Sequence, residues 1–335
     1  MKVLFDHPHP FQLAHGGFQT QIEQTKTALE AHGIEVEFLR WWDDRQRGDL
    51  IHYFAAASTG YLEQARTAHK PVVMTTLFTE TCNRSDAALR RQGWLTQLIL
   101  SFPGGEGIKR QLTWRAYTAC ACNVVGLAAE QQVLEMVYRV PSERIALVPL
   151  GLSETFLRAG PGDRREAHLI CTGTITDRKR STDLARLAHA AGVPILFVGK
   201  PYHPEDPYWR EFQKLIDGKL VKHHPHVSSE AEMVALLQAA RGFVLLSRYE
   251  NWCLSAHEAA ACGLPLLVPD QKWSRERFGG EAGYFTGEFA RDVEVLRQFH
   301  TQAATARPPQ VKLWSWKEAV VPLIAAYERA LKTSR

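Results

Sequence analysis

Short apolar runs alternate along this chain with longer stretches whose apolar positions recur at helical spacing. Val3 to Phe5, Glu35 to Leu39, Leu50 to Phe54, Val72 to Thr75, Val124 to Gly126 and Ile145 to Val148 read as one set of strands. Leu169 to Thr172, Ile195 to Val198, Val221 to Lys222, Phe243 to Leu246 and Leu266 to Val268 read as a second. Most of these runs are continuously apolar, which is the mark of parallel strands covered on both faces. Strand alternating with helix predicts an α/β protein, here two doubly wound, Rossmann-like halves. The seam falls at Leu150-Gly151-Leu152-Ser153, so that 1–150 forms one domain and 151–316 the other. No low-complexity linker or short-period repeat interrupts the pattern. Trp314 to Leu331 closes it with apolar and charged residues at helical spacing.

Chemistry concentrates in SRYENWCLSAHEAAACGLPLLVPD, residues 247–270. A buried strand, Phe243 to Leu246, leads into it. Leu254 to Cys262 reads as a helix, stopped by Gly263 with Pro265 beyond. Glu250 then lies on the strand-to-helix loop and Glu258 about one turn into the helix. Between them the first helical turn offers unpaired N–H groups and the positive end of its dipole. That suits an anionic ligand flanked by two carboxylates. The alternative is two solvated glutamates, and the pair alone favours it.

Ser247, Glu250, Trp252, Leu254, Glu258, Ala259, Ala261, Cys262, Gly263 and Pro265 stand in a register that resembles the E-x7-E signature of retaining GT-B glycosyltransferases, the family-4-like group (glycosyl transferases group 1). The resemblance implies two Rossmann-like domains facing across a cleft, with the donor domain second. It implies transfer of a sugar from a nucleotide-diphosphate sugar to a hydroxyl acceptor, carbohydrate or lipid-linked, in cell-surface polysaccharide or glycolipid assembly. Glu250 would be the catalytic residue at the donor sugar. Glu258 would bind the ribose hydroxyls, and the backbone of Cys253, Leu254 and Ser255 would hold the pyrophosphate. No metal or other cofactor is implied. The C-terminal helix, about 317–335, would cross back onto the first domain.

Three further segments extend the match. His15-Gly16-Gly17 before a helix sits where the family brings a Gly-Gly loop to the donor phosphates, since glycine lets a backbone approach closely. His15 itself reads as a solvated loop residue or a lining one. In Leu169 to Ser181, Gly173 and Lys179 fit the strand-Gly-Arg…Lys pattern that neutralises the pyrophosphate. Thr174 replaces the arginine, and Arg178 is the substitute on the same loop, against a solvated basic turn. Val148-Pro149-Leu150-Gly151-Leu152 resembles the interdomain segment, with Gly151 a hinge. Ser228-Ser229-Glu230 falls near where the family holds the base. Departures from the pattern are Thr174, Cys253 where the family has glycine, and Leu77 where it often has histidine. They keep two rivals open: a catalytically impaired nucleotide-sugar-binding subunit, and a GT-B nucleotide-sugar epimerase.

Composition narrows the setting. The chain has 335 residues, 45% hydrophobic and 23% charged, which describes a globular protein with room for two domains. No apolar run reaches the 18 or so residues of a membrane span. MKVLFDHPHP lacks a signal-peptide core, and six cysteines in so long a chain fit reduced thiols, giving a cytoplasmic expectation. Cys120-x-Cys122 reads as buried packing. A net charge of +4 is too mild to require nucleic acid. His223-His224-Pro225-His226 suits a strand end better than a zinc site, and Asp43-Asp44 a loop better than an Asp-x-Asp metal motif. The segment from Arg90 to Phe102, followed by Lys109, Arg110 and Arg115, mixes arginines with aromatic and aliphatic residues. It reads as a core helix with a basic end or, as the minor alternative, a patch for peripheral membrane contact.

Overall fold

A computed structural model describes residues 1–333 apart from 12–15, 79, 106, 108, 110–111 and 164–165. His15 and Arg110 therefore lie outside the described residues. The chain forms two compact units. One comprises Met1–Gly151 with Trp316–Arg335, the other Leu152–Ser315.

The first unit is built on a six-stranded sheet of order β2-β1-β3-β4-β5-β6. Its strands are β1 Lys2–Asp6, β2 Glu35–Phe38, β3 Leu50–Phe54, β4 Val72–Thr75, β5 Cys122–Val125 and β6 Ile145–Leu147. Every pair is parallel. β3, β4 and β5 are buried at every position, which their unbroken apolar runs require once helices cover both faces. Cys82, Cys120 and Cys122 are buried in this core and form no disulfide.

The second unit repeats the plan with β7 Leu169–Thr172, β8 Ile195–Val198, β9 Val221–His224, β10 Gly242–Val244, β11 Leu266–Pro269 and β12 Ala282–Phe285. They are arranged β12-β11-β10-β7-β8-β9, again all parallel. β12 was not among the expected strands. Its four residues include Gly283, which weakens a strand signal, and it owes its place to full register with β11 from Leu266–Ala282 to Pro269–Phe285.

Two expectations need correction. Trp314 to Leu331 is not one helix but two, Trp316–Ala319 and Val321–Thr333. Pro322 explains the break, because it has no N–H to give the preceding turn and is tolerated only in the first turn of a helix. From that second helix the Tyr327 hydroxyl reaches His52 Nδ1 on β3, 2.6 Å away. The other correction concerns Arg90 to Phe102. It belongs to the helix Asp86–Ser101, but only Leu89, Gly93 and Thr96 are buried. Trp94, Leu95, Leu98, Ile99 and Phe102 are exposed. No helix among the described residues is long and apolar enough to cross a membrane.

Candidate active site

In the second unit β7 and β10 are neighbours, and the winding of the sheet reverses between them. Loops leaving two such strands part in opposite directions and open a crevice at their carboxyl ends. Both motifs picked out in the sequence arrive there. The loop after β7 carries Gly173, Arg178 and Lys179. The loop after β10 carries Glu250 and runs into the helix Leu254–Ala261.

The two loops are bolted together by charge. Lys179 Nζ lies 2.6 Å from Glu250 Oε1, and Arg178 Nη1 lies 3.1 Å from the same oxygen. Arg178 also donates to the Tyr249 carbonyl at 2.9 Å. In the other direction, the Arg248 N–H donates to Arg178 O at 2.9 Å, and the Arg248 guanidinium reaches Asp177 at 3.1 Å. The Glu250 side chain is only 8% exposed. Burial raises its pKa, but the Lys179 ammonium and the Arg178 guanidinium outweigh that and hold it below the usual carboxylate range. Glu250 is therefore ionised at neutral pH. Two cations on one carboxylate leave one positive charge over, which makes the cluster attractive to an anion.

Glycines shape the floor. Gly173 has φ +142°, a conformation L side chains rarely adopt, and the stem and ammonium of Lys179 pass within 4 Å of where its Cβ would be. A Cβ on Gly199, just after β8, would lie 2.0 Å from the Gly173 carbonyl oxygen. Only glycine allows those backbones to meet. Sequence reasoning missed Gly199, although a glycine directly after a buried strand was its signal. It also missed Arg248 and Asp177, two ordinary surface charges until the loops are seen side by side.

The helix start has an unusual residue. Cys253 is the N-cap, with φ 65° and ψ 64° in the left-handed region. Its carbonyl accepts from the N–H of Ala256 and His257 and from His257 Nδ1 at 3.0 Å. The His257 ring stacks on Trp252, and the Arg277 guanidinium caps that indole at 4.2 Å. Burial pushes the His257 pKa down to about 4, so the ring is neutral and serves as a brace. Glycine at this position in the resembling pattern now has a reason: the backbone is left-handed, and cysteine adopts it at a cost. Leu254 and Ser255 follow in the first turn, where N–H groups have no helical acceptor.

Glu258 lies one turn further on. Burial, and next the charge of Glu230, push its pKa up to about 7, while Lys179 opposes them. Glu230 accepts from the Ser153 hydroxyl at 2.7 Å. Two carboxylates of opposite character thus share the site, Glu250 held ionised and Glu258 poised near neutrality. Gly173, Arg178, Lys179, Glu250, Cys253, Leu254, Ser255 and Glu258 all gather in this unit. Gly16 and Gly17 are on the other one. Gly16, with φ +117°, starts the helix Gly17–Glu30, and a Cβ on Gly17 would meet nothing within 4 Å. Leu77, after β4, is 38% exposed. His223 and His224 end β9 and bond to the carbonyls of Gly199 and Pro225. Asp43 pairs with Arg40.

Two units, each on an all-parallel six-stranded sheet, the second with a crevice at its switch point, have the architecture of the GT-B fold. Residues 164–289 match the model of the family described as Glycosyl transferases group 1. Among curated proteins it is 24% identical over 301 residues to an MMP alpha-(1->4)-mannosyltransferase of Mycolicibacterium hassiacum, covering 84% of this chain and 71% of that one. Among solved structures it is similar to the lipopolysaccharide outer core galactosyltransferase WaaB, with a TM-score of 0.62, 13% identity and full coverage of both chains. It is similar also to Anabaena HepE in complex with UDP-glucose, with a TM-score of 0.60, 15% identity and coverage of 100% and 97%.

Proposed function

We propose that this glycosyltransferase moves a hexose, with retention of anomeric configuration, from a nucleotide-diphosphate sugar to a hydroxyl of a carbohydrate or lipid-linked acceptor. The observation that carries the reading is the Lys179–Glu250–Arg178 cluster beside the first turn of the helix Leu254–Ala261. Its surplus positive charge and the N–H groups of Leu254 and Ser255 suit a pyrophosphate. In this reading Lys179 neutralises the departing nucleoside diphosphate, and Arg178 supplies the second cation that Thr174 cannot. Glu250 faces the sugar and stabilises positive charge developing at the anomeric carbon. Glu258 accepts hydrogen bonds from the ribose, and Gly16 and Gly17 keep the phosphate role that the resemblance implies. Positive charge for the leaving group comes from side chains and a helix end, so the reaction needs no divalent metal and survives EDTA.

Relatives that transfer mannose and galactose, one acting in lipopolysaccharide outer core, favour a role in cell-surface polysaccharide or glycolipid assembly on the cytoplasmic side. Peripheral contact with a lipid surface belongs to the same reading. The test is a panel of UDP- and GDP-hexoses, scored by thermal shift and by transfer, for wild type and Glu250→Gln. We expect one donor to raise the melting temperature of both proteins. Transfer should fall roughly 10²–10³-fold in the variant, the usual effect of removing a charge-stabilising group at a reaction centre. Donor binding with no turnover by either protein would instead identify a non-catalytic subunit. Interconversion of the donor sugar without acceptor would identify an epimerase.

A further inference from the structure

The helix Asp86–Ser101 is turned inside out relative to an ordinary surface helix. Its buried residues, Leu89, Gly93 and Thr96, follow one another at i, i+4 and i+7 and so form a single stripe. The stripe is pinned in place, because a Cβ on Gly93 would lie 2.1 Å from the backbone oxygen of Met136 in the helix Ala128–Tyr138. Rotation of the helix about its axis is therefore blocked by backbone. The opposite face carries Arg91, Trp94, Leu95, Leu98, Ile99 and Phe102, at i, i+3, i+4, i+7, i+8 and i+11. Trp94 is 62% exposed and Phe102 69%. Scattered exposed apolar residues need no explanation, but five large ones on one helix face do.

Charge selects what covers this face. After Asp86 at its start the helix has no acidic residue, and the two charges within it are Arg90 and Arg91. Both are exposed. At its far end Lys109 and Arg115 donate to the carbonyls of Leu100 and Phe102, Arg115 to Leu100 at 3.2 Å. They satisfy the orphan acceptors there and add positive charge beside Phe102. An apolar face with tryptophan and phenylalanine near its ends, bordered by cations, is the composition of a helix lying in a membrane interface.

We propose that the face Arg91–Trp94–Leu95–Leu98–Ile99–Phe102 docks this protein onto an anionic lipid surface. The aromatic and aliphatic side chains enter the headgroup boundary, and Arg90 and Arg91 meet the lipid phosphates. This deepens the peripheral part of the proposed function but does not depend on the transfer chemistry, and its test uses no sugar substrate. The full-length protein is floated with vesicles of phosphatidylcholine alone and of phosphatidylcholine mixed with phosphatidylglycerol.

Wild type should float with the mixed vesicles, remain largely behind with the neutral ones, and be released by added salt. Arg90→Gln with Arg91→Gln should lower partition roughly thirtyfold, since each basic residue near such a surface contributes on the order of a factor of five. Trp94→Ser with Leu98→Ser should abolish flotation and leave the melting temperature within a few degrees, because both residues lie on the exposed face, Trp94 at 62% and Leu98 at 50% exposure. Wild type that floats with neither vesicle, or equally with both, overturns the proposal. So does a concentration-dependent dimer that the serine variant dissociates, since the face would then belong to a second copy. A nucleotide-induced thermal shift retained in the serine variant keeps the lipid result separate from the donor site.

Discussion

Cys253 shows how a single residue records its site. A non-glycine side chain in the left-handed region costs about 1–2 kcal/mol, and strain of this kind persists where surrounding structure holds it. Here the His257 imidazole and two helix N–H groups fix the Cys253 carbonyl. Cys253→Gly relieves the backbone and loses a buried thiol, so denaturant unfolding should show a change within about 1 kcal/mol. Cys253→Val should cost more than about 2 kcal/mol, since a β-branched residue fits that conformation worst. Glu258 yields a pH prediction. Its pKa near 7 in the free site means the carboxylate forms as pH rises through neutrality. If it accepts ribose hydroxyls, nucleoside diphosphate affinity should climb between pH 6 and 8, and Glu258→Gln should flatten that slope in calorimetric titrations. An affinity that falls over the same range would contradict the role. The residue types of the site were legible in the sequence because their spacing is local to two loops. Their pairing was not, because Arg178 and Glu250 are 72 residues apart and meet only when β7 and β10 become neighbours. Arg178 could be read as a free phosphate ligand or a solvated turn. In the structure it pairs with Glu250, a contact neither reading foresaw.

Among elements, the strands that sequence placed well are those buried on both faces, such as β3, β4, β7 and β11, where continuous apolar runs leave no choice. β12 escaped because its residues are mostly half-exposed and its position is dictated by β11. The Asp86–Ser101 helix was legible as a helix and misread in orientation. Its outward face is the more apolar one, and the small residue Gly93 marks the side that packs. Gly93→Ala should destabilise the first unit by about 1–3 kcal/mol, because the added methyl meets backbone rather than a yielding side chain. Hydrogen exchange should find the loss concentrated in this helix and Ala128–Tyr138. The helix Val321–Thr333 is fixed by a buried polar contact, Tyr327 hydroxyl to His52, whose other ring nitrogen meets Thr75 Oγ at 2.7 Å. Burial lowers the His52 pKa to about 3. The unfolded chain thus binds a proton that the folded one does not between about pH 6.5 and 3, and stability, complete above 6.5, is lost as pH falls. From His52 alone, unfolding free energy should drop by about 2 kcal/mol between pH 7.5 and pH 5. His52→Gln should reduce the pH slope by about one proton.

For the molecule as a whole, the path of the chain matters as much as its two sheets. It leaves the first unit at Gly151, completes the second and returns at Trp316. Leu323, Ala326, Tyr327 and Ala330 are buried in the unit that began the sequence. A chain ending after Ser315 should therefore lose the first unit's cooperative melting while the second still responds to nucleoside diphosphate. Scanning calorimetry with and without ligand separates the two, and loss of the ligand response would show that the units do not fold independently. The same return path sets a timetable for biosynthesis. The partner of His52 is encoded 275 residues later, with the whole of the second unit made in between. At ~5–20 residues per second, a ribosome takes roughly fourteen to fifty-five seconds over that interval. Throughout it, the first unit's nascent sheet waits with an uncovered apolar flank. A folding chaperone has its opportunity in those seconds, and the second unit, though translated later, is the first that can be finished.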